Sequence, residues 1–168
     1  MTLAKLAPIA LYGISVSWPY LWEACRTGDE IINLLDLTDF HHQIHPFCEH
    51  IASNPGLLLD PNSPLHEVSL DGKPFMDPML VAAVVNLSLD LPDLKLMITA
   101  LFSGAAEGWI QFTSEFEVGG VFDSLTPEQH ASLFIPSAND ANEGALGSWH
   151  VYVHYHPPST AASFSSQA

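Results

Sequence analysis

The run VNLSLDLPDLKLMITA, residues 85–100, alternates apolar and polar side chains on both sides of a Pro-Asp turn. Such period-two alternation is the mark of a half-buried β-strand. Val85, Leu87, Leu89 and Leu91 share one face, with Asn86, Ser88 and Asp90 on the other. Beyond Pro92-Asp93, Leu94, Leu96, Ile98 and Ala100 oppose Lys95, Met97 and Thr99. The stretch WIQFTSEFEV extends the pattern, with Ile110, Phe112 and Phe116 inward and Gln111, Thr113, Glu115 and Glu117 outward. Upstream, LHEVSLDGKPF carries Asp71-Gly72, a hairpin turn between two further strands. Asp77-Pro78 is a competing helix start ahead of MLVAAVV, but the alternation after Val84 favours the strand.

Around this β region the chain predicts a few helices. Ile9, Leu11 and Gly13 alternate with Ala10, Tyr12 and Ile14, a strand over 9–17. Ser17 and Pro19 then start a helix that Gly28 stops, and Asp29 caps a second one in EIINLLDL. Phe40, Ile44, Phe47 and Ile51 form one apolar helical stripe, ended by Asn54-Pro55-Gly56 and kinked or restarted at Pro46. Thr126, Pro127, Glu128 and Gln129 open a short helix. A last strand, GSWHVYVHYH, closes the chain. The order predicts an α+β fold: N-terminal helices packed on one face of a curved antiparallel sheet, a half-barrel or two-layer sandwich. Residues 1–157 form a single domain, and 158–168 a flexible polar tail.

Charge limits the partners. Nineteen acidic residues face four basic ones, Lys5, Arg26, Lys73 and Lys95, for a formal net charge of −15. That balance argues against nucleic acid and against an anionic membrane surface, both of which need Lys and Arg. It suits a basic protein partner or self-association. Protonating all nine histidines would move the charge from −15 to −6, so the field of the molecule changes between about pH 7 and pH 5. Cys25 and Cys48 make neither a disulfide framework nor a four-cysteine zinc module; they are open to pairing or to remaining free. The N-terminal run has one lysine, an apolar stretch and Ser15 and Ser17 at cleavage-site spacing, but Pro8 interrupts it. A cytoplasmic location is expected over a secreted one.

Two histidine groups are candidate metal sites. On the last strand His150, Tyr152, His154 and His156 share a face, ~6.5–7 Å apart in turn. Imidazoles so placed suit zinc, nickel or copper, with Asp90, Glu115 or Glu117 as carboxylate ligands. The alternative is a solvent-facing or subunit-facing strand. In HHQIHPFCEH, His41, His45 and Cys48 or Glu49 share a helical stripe, although Pro46 would rotate the later residues away and no HExxH motif is present. No nucleophile elbow or phosphate loop occurs. A mostly apolar pocket between helices and sheet is a third candidate, with Trp18, Tyr20, Trp22, Trp109 and Phe112 as walls.

The reading that results is an acidic single-domain binding or interaction protein, pH-responsive through the histidines of its last strand. Tyr152, Trp109, Glu115 and Glu117 are its pocket or interface residues. The alternative is a small enzyme, using either a divalent transition metal held by histidines or a small-molecule pocket.

Overall fold

The computed structural model describes residues 3–25, 32–137 and 140–156. The proposed tail over 158–168 and the Asp29 cap lie outside them. The described residues form helices and turns. No sheet is present among them, and extended backbone pairs only at an isolated antiparallel bridge between Asn33 and Pro136. The expected α+β fold with its antiparallel sheet is therefore corrected to an all-helical one.

Among the described residues eight α-helices follow in order: α1 (Leu3–Tyr12), α2 (Trp18–Cys25), α3 (Thr38–Ser53), α4 (Leu65–Val68), α5 (Pro78–Leu87), α6 (Leu94–Thr113), α7 (Pro127–Ser132) and α8 (Asp140–Tyr155). The frame is α6, about 30 Å long at 1.5 Å per residue. It packs along α3 and against α1, and α1 also meets α5. Leu94, Ile98, Phe102 and Ala106 of α6 are buried, each four residues after the last. They meet Ile44, Cys48 and Ile51 of α3 and Ala7 and Leu11 of α1 in one core.

The alternation that predicted strands misled for a physical reason. Every fourth residue of a helix lies on one face, and those residues are also a subset of every second residue. Leu94 and Ile98 satisfy both patterns. Leu96 separates them: a strand would bury it beside Ile98, yet it is 70% exposed. Leu89, assigned to the same face, is 87% exposed. Val85 and Leu87 end α5, and Pro92 and Asp93 form the turn before α6. The Asp77-Pro78 start is the one the chain uses, with Asp77 Oδ1 accepting from the Leu80 N–H at 3.0 Å. In 109–117, Thr113 is buried while Ile110 and Phe112 are exposed, against the predicted strand faces, although Phe116 is buried and Gln111, Glu115 and Glu117 are exposed as expected.

The predicted strand over 9–17 is also helical. A π-helical turn, Gly13–Ser17, joins α1 to α2. Pro19 has no N–H to offer the Ser15 carbonyl one turn back. The Leu70 N–H takes that oxygen instead, at 2.9 Å, while the Ser15 hydroxyl bonds to Leu11 O at 2.7 Å. The Asp71-Gly72 turn is real but joins no strands. Gly72 has φ +65°, its N–H reaches Ser69 O, and α4 precedes it. Pro46 does not interrupt α3, whose buried residues His41, Ile44, Cys48 and Ile51 run 3, 4, 3. The Thr126 start matches expectation as a full capping box with Gln129.

The closing segment is helical too, so there is no histidine strand. On a helix His150, Tyr152, His154 and His156 cannot share a face, since alternate residues turn by about 200°. Instead Trp149, Tyr152 and His156 stack in succession, with centroids 6.1 and then 4.6 Å apart. None of the side chains described in α8 is buried.

Candidate binding cleft

A concavity with a volume of about 630 Å³ lies where α1, α2, α3 and α6 converge. Aromatic side chains dominate its lining. Tyr12 comes from α1, Tyr20 from α2, His41 from α3, and Trp109 and Phe112 from α6. Glu115 and Phe116 follow from the turn after α6. Glycine and alanine at 108 and 105 on the same helix leave the space open.

Hydrogen bonds fix several of these groups. The Trp109 indole N–H donates to Tyr12 Oη at 2.8 Å, which sets the plane of the indole. Tyr20 lies 5.2 Å from it, centroid to centroid, tilted by 56°. Phe112 lies 6.1 Å away on another side, at 67°. His41 is 3% exposed. Its Nδ1 meets Leu37 O at 2.8 Å, which makes Nδ1 the protonated nitrogen because a carbonyl only accepts. Nε2 then accepts from the Tyr20 hydroxyl, a long bond at 3.4 Å. Burial lowers the His41 pKa below the usual imidazole value; the Leu37 carbonyl opposes this and neighbouring His42 adds to it. His41 is therefore a neutral aromatic wall. Burial also raises the pKa values of Tyr12 and Tyr20, keeping both phenols protonated.

The turn after α6 is built to hold its place. His42 Nε2 bonds to Phe116 O, and the Phe122 N–H bonds to Glu115 O at 2.9 Å. A Cβ at Gly120 would stand 2.6 Å from Glu115 O, so only glycine lets the backbone close here. Phe116 is thereby pressed under His41 and Phe122, while the Glu115 carboxylate stays exposed at the rim. The far edge comes from an extended segment. Asn33 bonds to Leu133 O and the Ile135 N–H, which brings Leu34 and Ser137 to the cleft. No Lys or Arg lines it among the described residues.

The sequence candidates divide sharply in space. Trp109, Tyr20 and Phe112 are walls of this cleft, and Glu115 is at its rim. Trp18 and Trp22 line a smaller hollow of about 280 Å³ with Phe75 and Met76. Glu117 is exposed and contributes its carbonyl to Gly120 N–H. His45 is half-buried and pairs with Glu49 at 3.6 Å, His41 is committed to Leu37 O and Tyr20, and Cys48 is sealed in the core. His150, Tyr152 and His154 belong to α8, and His156 follows its last residue. Among the described residues, no group of three or more His, Cys, Asp or Glu side chains is placed to hold a metal ion. The sequence reading missed Tyr12 and Phe116 as walls and took His41 for a ligand. A plain helical register for 3–25 would not have paired the two tyrosines, since eight positions on an α-helix leave Tyr12 about 80° from Tyr20.

Both cysteines are free, Cys25 exposed and Cys48 buried. None of the described helices is long and apolar enough to cross a membrane. No family model, curated protein or solved structure matches this chain.

Proposed function

We propose that this protein is a binding module that docks a basic protein partner at the aromatic cleft. The observation that carries this reading is the make-up of the cleft: five aromatic side chains and a neutral histidine, with a carboxylate at the rim and, among the described residues, no Lys or Arg. Aromatic residues around a concave centre are the usual anchors of a recognition site. The net charge of −15 favours a partner of opposite sign and speeds its approach. Neutral His41, tucked between Tyr20 and Phe116, serves as surface and not as acid, base or metal ligand.

The test is a titration of the whole protein with short lysine- and arginine-containing peptides, followed by backbone amide shifts and by stopped-flow association. Shifts concentrated at residues 12, 20, 41, 109, 112 and 116 are expected, with an association rate that falls steeply as salt rises. Shifts elsewhere, or an association rate insensitive to salt, would overturn the reading.

A further inference from the structure

We infer that the anchor of that partner is an arginine side chain, its guanidinium stacked on the Trp109 indole and bonded to the Glu115 carboxylate. The inference rests on the proposed function and names what the cleft selects. Three observations carry it. First, the Trp109 indole is stacked on neither Tyr20 nor Phe112; the 56° and 67° angles set the three rings as a concave wall, with Tyr20 backed by Phe40 at 6.3 Å. Second, the one edge donor of Trp109 is committed to Tyr12 Oη, so the indole is held in orientation before any ligand arrives. Third, Glu115 lines the same cleft, and among the described residues its carboxylate makes no hydrogen bond or ion pair. A flat cation attracted to a π face and able to bond a carboxylate edge-on satisfies all three.

Arginine meets that description better than its rivals. Its guanidinium is planar, stacks on aromatic faces and forks two N–H bonds onto a carboxylate. Its three methylenes match the apolar wall below the rim. A lysine ammonium is a compact, strongly hydrated charge without a flat face. A quaternary ammonium takes the π faces but has no N–H for Glu115. The carboxylate at the rim therefore separates arginine from the other cations that aromatic walls attract.

The experiment is calorimetric titration of the full chain with three forms of one short basic peptide, carrying arginine, citrulline or lysine at its centre. Citrulline keeps the shape and loses the charge. The arginine form is expected to bind about tenfold tighter than either. Glu115→Gln should weaken the arginine form about tenfold and leave the citrulline form unchanged. Phe112→Leu, at a residue 77% exposed, should weaken it about threefold with an unaltered melting temperature. Equal binding of the three forms in the cleft would overturn arginine anchoring while leaving cleft docking standing. So would tetramethylammonium displacing the arginine form at equal concentration. If none of the three forms binds the cleft, the proposed function falls with the inference.

Discussion

The imidazole of His41 lies flat on the ring of Phe116, with centroids 4.0 Å apart and planes within 9°. One residue comes from the first turn of α3, the other from the turn beyond α6. The contact binds the cleft's floor to the longest helix pair of the core, so its electrostatics reach stability as well as binding.

Stability should depend on pH through His41. Its folded pKa lies below the unfolded one, so the unfolded chain binds the proton more readily. Stability is then full above the unfolded value of about 6.5 and is lost as pH falls below it, with a slope of at most about 1.4 kcal/mol per pH unit for one proton. Urea titrations at stepped pH should show a steeper decline for the native protein than for His41→Phe. Parallel slopes would show that His41 is not the group responsible.

The two thiols should differ sharply in reactivity. Burial pushes Cys48 up to about 12, and the thiolate is the reactive form. Cys25 is exposed. An aromatic disulfide reagent is expected to modify one thiol in the native protein and two in urea. Fast modification of native Cys25→Ser would contradict the burial of Cys48.

Core truncation at Phe102 should be costly. This ring is fully buried on α6 and meets Tyr12 edge-on at 5.4 Å. Phe102→Ala is expected to destabilise the fold by about 3–5 kcal/mol, read from the urea midpoint. Because Tyr12 holds the Trp109 indole, the same variant should loosen the cleft, seen as faster quenching of tryptophan fluorescence.

The α5 cap gives a smaller effect of the same kind. Asp77→Ala removes the acceptor for the Leu80 N–H and should cost about 1 kcal/mol. Asp77→Asn, which keeps the acceptor, should recover most of it. Equal loss in both variants would point to charge and not to capping.

The sequence was legible where a local rule has a single outcome. The Thr126 capping box, the Gly72 turn and the apolar stripe of α3 all depend on neighbours within a few residues. The fold class was not legible, because Leu94, Ile98, Phe102 and Ala106 are spaced to suit a helix and a strand alike. Burial decides between them, and burial depends on α3 and α1, far away in the chain. At the cleft, the residue types of Trp109, Tyr20 and Phe112 pointed to a wall whatever the backbone does. Phe116 could not be placed that way, since the glycine-dependent turn that carries it under His41 has no periodicity.

The π-helical turn at Gly13–Ser17 sets a phase as well as a bend. Tyr12 and Tyr20 are eight positions apart, which on an unbroken α-helix would leave their side chains about 80° out of line. A π turn absorbs one residue without advancing the α-helical count, which reduces that offset to about 20°. Both phenols then reach Trp109. The cleft thus depends on a frame of residue counting: removing a single amino acid from this turn would leave a regular helix with its two tyrosines seven positions apart and still aligned, whereas removing one from α2 ahead of Tyr20, with the π turn intact, would aim them about 120° apart.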